Sequence, residues 1–124
     1  MSKSILVVED SDETRAMLRQ MLLGEGYAPI EARNGVEALE KFGEHSPDLI
    51  IMDLNMPHLD GLTATERIRQ YREKRFGIPI VAITAFDTYG MKEAAFEAGC
   101  DEYLLKPLDI DHLGVILRNH LGYL

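Results

Sequence analysis

The chain is poor in cysteine, in basic charge and in long apolar runs. Cys100 is its single cysteine, so no internal disulfide can form, and a cysteine-poor chain suits a reducing compartment. No apolar run approaches the roughly 20 residues that span a bilayer, and no basic start followed by an apolar stretch marks a signal peptide. A cytoplasmic protein without membrane contact is therefore expected. Lys and Arg number 13 against 21 Asp and Glu, for a formal net charge of −8 and a pI near 4.9. Nucleic-acid affinity comes largely from cations that neutralise phosphates, so direct nucleic-acid binding is not expected. The one basic enrichment (Arg67, Arg69, Arg72, Lys74 and Arg75) is interleaved with Glu66 and Glu73 on an expected helix, which reads as a solvated face. His45, His58, His112 and His120 are scattered without metal-motif spacing, and no Walker loop, Rossmann glycine fingerprint or nucleophile elbow is present.

What remains is an ordinary globular composition. With 124 residues, 46% of them apolar, the chain can close a hydrophobic core as a single domain, residues 1–124. Short apolar strands alternate five times with amphipathic segments, and no stretch reads as a linker or repeat. Strand β1 is expected at about 4–8, followed by helix α1 capped by Asp12 and ended by Gly24 and Gly26. Strand β2, about 28–32, contains Pro29, which lacks the donor a central strand needs and so belongs at a sheet edge. Asn34-Gly35 leads into α2, which Ser46-Pro47 breaks, and β3 follows at about 48–52. Asp60-Gly61 opens α3, β4 lies at about 80–84, and α4 covers about 88–98. Strand β5 at about 102–105 precedes α5, capped by Asp109. The continuous apolar runs of β1, β3 and β4 suit strands covered on both faces, giving a three-layer α/β sandwich.

The strand ends carry the chemistry. Ile5-Leu6-Val7-Val8 runs into Glu9-Asp10, Leu49-Ile50-Ile51-Met52 into Asp53, Ile80-Val81-Ala82-Ile83 into Thr84, and Tyr103-Leu104-Leu105 into Lys106-Pro107. Ligands of open parallel sheets bind outside the carboxyl ends of the strands. Three carboxylates, a hydroxyl and an ammonium would meet there, which suits a divalent cation and a phosphoryl group.

In order and spacing, Leu-Val-Val-Glu-Asp (6–10), Met-Asp-Leu-Asn-Met-Pro (52–57), Asp-Gly (60–61), Ala-Ile-Thr-Ala (82–85), Ala-Gly-Cys-Asp-Glu-Tyr (98–103) and Leu-Lys-Pro (105–107) resemble the receiver domain of two-component signalling. More narrowly, the chain resembles stand-alone single-domain response regulators of the chemotaxis or cell-cycle kind. The resemblance spans essentially the whole chain. It implies a flavodoxin-like (βα)5 fold with strand order 2-1-3-4-5, which puts β2 at an edge, where Pro29 independently places it.

The resemblance also implies roles. Asp53 is the phosphoacceptor, and Glu9 with Asp10 forms the acidic pair, although the family often has Asp where this chain has Glu9. Asp10, Asp53 and the backbone carbonyl of Asn55 would hold Mg2+ or Mn2+, with Glu9 acting through water or by positioning Asp10. Lys106 would pair with a phosphoryl oxygen, aimed by a cis bond to Pro107. Thr84 would donate its hydroxyl to another phosphoryl oxygen and, with Tyr103 and the loop from Phe86 to Gly90, would form the switch. Phe86, two residues after Thr84, either shields the phosphoryl group from water or anchors the start of α4 in the core.

A phosphorylation-activated switch is the function implied. It would take its phosphoryl group from a histidine kinase or phosphotransfer protein and signal to an unidentified protein through the α4-β5-α5 face. It would be no enzyme beyond metal-assisted self-phosphorylation and autodephosphorylation, and would be a monomer or a phosphorylation-dependent dimer. A receiver excised from a hybrid histidine kinase, to which the stretch from Asn55 to Ala82 with a long α3 is also similar, is the alternative. Against it, Met-Ser-Lys reads as a native start. An aspartyl-phosphate phosphatase or phosphotransferase is disfavoured, because position 55 is Asn where such an enzyme has a second Asp and no insertion is large enough for a cap.

Overall fold

The computed structural model describes residues 2–56, 58–70 and 77–122. Five strands and five helices alternate along them: β1 Ser4–Val8, α1 Asp12–Gly24, β2 Ala28–Ala32, α2 Gly35–His45, β3 Leu49–Asp53, α3 Gly61–Arg69, β4 Ile80–Thr84, α4 Met91–Ala98, β5 Glu102–Leu105 and α5 Ile110–Leu121. The strands form one parallel sheet in the order β2-β1-β3-β4-β5, with Pro29 on an edge strand as its missing N–H requires.

Strand periodicity sorts the side chains between the two helical layers. Leu6, Val8, Ile50, Met52, Ile80 and Ala82 face Ala38 and Phe42 of α2, Ala64 and Ile68 of α3, and Ala95 of α4. Ile5, Val7, Leu49, Ile51, Val81 and Ile83 face Leu18 and Leu22 of α1 and Leu113, Ile116 and Leu117 of α5. All five residues of β3 and of β4 are buried. At roughly 1.5–3 kcal/mol for each fully buried large aliphatic side chain, these central strands anchor the fold and everything attached to their ends.

Several boundaries differ from expectation. Ser11, not Asp12, caps α1: its hydroxyl accepts from the Thr14 N–H, and Asp12 is the first helical residue. Strand β3 is displaced by one residue, so Asp53 belongs to the ladder, beside Ile83. Helix α4 begins only at Met91, because Gly90 is left-handed and offers no side-chain cap. Asn34, Asp60 and Asp109 cap α2, α3 and α5 through their side chains. Helix α3 runs through Arg69 with Gln70 as its C-cap. The rest of the expected long helix, with Arg72, Lys74 and Arg75, lies outside the described residues, as does Pro57. Arg69 is no solvated residue: it donates to the Gly99 carbonyl and to Asp101.

Candidate phosphoacceptor and cation site

Register brings the acidic residues together. Val8 lies beside Met52, so the next residues along, Glu9 just past β1 and Asp53 as the last residue of β3, come side by side, with Asp10 following. Glu9 is fully buried and Asp53 is 1% exposed, while Asp10 is exposed. Carboxylate oxygens of Glu9, Asp10 and Asp53 lie within 4.8 Å of one another. That all-oxygen donor set fits a hard divalent cation.

On the other side of Asp53, β4 and β5 deliver Thr84 and Lys106. The Lys106 N–H donates to the Thr84 carbonyl at 2.9 Å, and the Lys106–Pro107 peptide is cis. The Lys106 Nζ lies 2.7 Å from Glu9 Oε1 and 3.5 Å from Asp53 Oδ2. The Glu9 contact is close but off the angle of a hydrogen bond. The other Glu9 oxygen, Oε2, accepts from the Ser11 N–H at 3.0 Å. Glu9 thus holds the lysine and the turn into α1.

The loop after β3 completes the site. The Asn55 N–H donates to Asp53 Oδ1 at 3.0 Å, and its side-chain amide donates to the Thr84 hydroxyl. Thr84, fully buried, also accepts from the Phe86 N–H at 3.1 Å. Gly61 permits this packing: a Cβ there would meet the Asp53 carbonyl oxygen at 2.2 Å, so only glycine lets α3 start against the backbone of the acidic residue.

Burial pushes the Asp53 carboxyl up to about 7, with Glu9 adding to the rise and the Asn55 N–H and the Lys106 ammonium opposing it. Partial burial works against the Lys106 charge, but the pull of the Glu9 and Asp53 carboxylates outweighs it and holds this ammonium above its ordinary range. Two carboxylates crowded against one ammonium form a site short of positive charge, which a cation would relieve.

The remaining predicted residues lie around the β4–α4 loop. Tyr103 packs at the edge of one core layer, and its hydroxyl donates to Asp87 at 2.9 Å. Burial and this bond to Asp87 push the phenol up to about 12. Phe86 is 61% exposed and precedes α4 by several residues, so the core-anchoring reading of its ring does not hold. Cys100 is buried against Thr65, and burial pushes its thiol up to about 11. It has no part in the site.

Three contacts escaped the sequence reading. The Asn55 side chain grips Thr84, Ser11 binds Glu9, and Arg15 donates to the Glu9 backbone carbonyl at 2.9 Å. Serine as a cap residue was legible; contacts to a distant hydroxyl or a backbone carbonyl leave no mark in a residue pattern.

The response regulator receiver domain family matches residues 5–118. The polar-differentiation response regulator DivK of Brucella anthropi is 37% identical over 122 residues, covering 98% of both chains. Among solved structures, a provisionally assigned response regulator from Chloroflexus aurantiacus superposes with a TM-score of 0.91 at 35% identity, over 98% of this chain and 99% of that one. The chemotaxis protein CheY4 of Vibrio cholerae gives 0.89 at 29% identity, over 98% and 100%.

Proposed function

The chain belongs to the response regulator receiver family, and from that premise we propose that it is a switch phosphorylated on Asp53 with the help of Mg2+. The observation that carries this reading is the buried Asp53 carboxylate, set between an acidic pair and the Lys106 ammonium. The donor is a phosphohistidine of a histidine kinase or phosphotransfer protein. An Asp53 oxygen attacks the phosphorus in line, the P–O bond forms as the P–N bond breaks, and the imidazole leaves. Asp10, Asp53 and the Asn55 carbonyl would hold the cation, which neutralises phosphoryl charge. Lys106 shifts from Glu9 toward a phosphoryl oxygen, and the Thr84 hydroxyl donates to another. Water later attacks phosphorus and regenerates the free carboxylate.

Drawing Thr84 toward the phosphoryl group breaks its contacts with Asn55 and Phe86. The β4–α4 loop is thereby released, Tyr103 leaves Asp87 and turns inward, and the α4-β5-α5 face changes for a partner protein. The whole of 1–124 acts as one such unit. The phosphatase reading is weaker: it needs an acid beside the nucleophile, and Asn55 commits its amide to Thr84.

Beryllofluoride with Mg2+, a stable phosphoryl mimic, tests the switch by amide NMR. Shifts should spread from Asp53 through Thr84 to Asp87 and Tyr103. Saturable binding whose shifts stop at the site would overturn the switch, and no binding would overturn the phosphoacceptor.

A further inference from the structure

Asp10 is the least supported member of the acidic cluster. It is exposed, and among the described residues its carboxylate has no hydrogen-bond partner. With no such bond to hold it, the carboxylate depends on where the turn between β1 and α1 places its Cα and Cβ. Two ties of that turn come from Glu9: its N–H donates to the Ala32 carbonyl at 3.0 Å, and its side chain accepts from the Ser11 N–H at 3.0 Å. The Glu9 carbonyl lies beyond the last ladder pairs, Val8 with Ala32 and with Met52. Arg15, one turn into α1, reaches back and donates to it from Nη1 at 2.9 Å.

Every branch of that guanidinium is engaged. Nε donates to Glu31 at 3.2 Å and Nη2 to Asp12 at 2.6 Å, and the side chain is only 13% exposed. Glu31, on the edge strand, is also held by Arg19 at 3.0 Å. The fork thus joins the β1–α1 turn to its own helix and to β2. A lysine, a point donor on a flexible stem, cannot make these three contacts at once.

We propose that Arg15 is a positioning residue for the cation site: by fixing the Glu9 carbonyl it aims the Asp10 carboxylate at the cation. This rests on reading the acidic cluster as the Mg2+ site. Charge and position make opposite predictions. Removing a cation beside acidic groups makes the local potential more negative and tightens binding of a divalent cation. Losing the aim of a ligand loosens it, typically by about 10–100-fold for partners that orient ligands.

Calorimetric titration of the full chain with Mg2+ separates the two. Arg15→Ala and Arg15→Lys should each bind about 10-fold more weakly or worse. Arg19→Ala removes a cation from the same Glu31 without touching Glu9, and should bind as tightly as the parent or slightly tighter. In metal-free protein the Asp10 and Ser11 amide signals should move in the Arg15 variants and stay in Arg19→Ala. Arg15→Lys keeps the charge and the packed stem, so it reports even where Arg15→Ala folds poorly. Arg15 variants that bind Mg2+ as tightly as the parent overturn the proposal, as does Arg19→Ala with an equal loss. A parent chain with no saturable Mg2+ binding instead overturns the reading of the metal site, and Arg15's role with it.

Discussion

The two rims of the sheet use the same acidic side chains to opposite ends. At the amino ends of the strands, Asp48 accepts from the Ser4 N–H at 2.8 Å, and Asp101 accepts from the Ile80 N–H at 2.9 Å and from Arg69 at 3.0 Å. Each of these carboxylates satisfies a backbone donor at a strand's beginning, and Asp101 has the Arg69 guanidinium beside it as well. At the carboxyl ends, Glu9 and Asp53 are more deeply buried, sit against each other and share one ammonium. Backbone donors do not separate the two rims, since Glu9 and Asp53 also accept from the Ser11 and Asn55 N–H groups; the crowding of buried carboxylates does. Glu9 and Asp53 outnumber the ammonium they share, a state that suits them for a cation and a phosphoryl group.

The largest way to break that contrast is Lys106→Ala in metal-free protein. It strips from two buried carboxylates the one ammonium that reaches them among the described residues, and should cost about 3 kcal/mol, below the upper range for buried pairs because Lys106 is partly exposed. Urea denaturation measures it, and added Mg2+ should restore part of the loss through binding to the native state.

Asp53→Asn sharpens the same point with the opposite sign. The Asp53 carboxyl keeps its proton up to about 7 in the folded chain, well above the ordinary range near 3.9. The folded state then binds more protons than the unfolded state between those values, so Asp53 lowers stability progressively as pH rises through that window. Without metal, Asp53→Asn should be more stable than the parent by about 2 kcal/mol at pH 8. The gain should vanish below about pH 4, as denaturation midpoints across pH will show.

Asp101→Ala probes the structural rim. Leaving the Ile80 N–H without its acceptor should cost about 1–2 kcal/mol and leave phosphoryl acceptance unchanged. Smallest is Phe86→Ala. Shielding by the exposed ring predicts decay of the phosphorylated protein faster by about threefold, less than 1 kcal/mol in barrier, followed by mass spectrometry after removal of the donor.

How much of this was legible in the sequence follows from how each contact is made. Apolar runs ending in Glu9, Asp53, Thr84 and Lys106 showed both the layered sheet and the rim, because strand periodicity and burial act locally. Pro29 marked its edge through a missing donor. Helix starts were read where a capping side chain exists, and failed where Ser11 and Asp12 compete or where Gly90 offers none. Arg15 and Arg69 stayed hidden because each reaches a backbone carbonyl as well as carboxylates. Long side chains reaching main-chain atoms are decided only by packing.

The most direct test of the central claim is intact mass after incubation with acetyl phosphate and Mg2+, read alongside Asp53→Asn. The account predicts one added phosphoryl group that requires the cation and is absent from the variant. A phosphoryl group that still appears on Asp53→Asn, or one that forms equally well without a divalent cation, would contradict it.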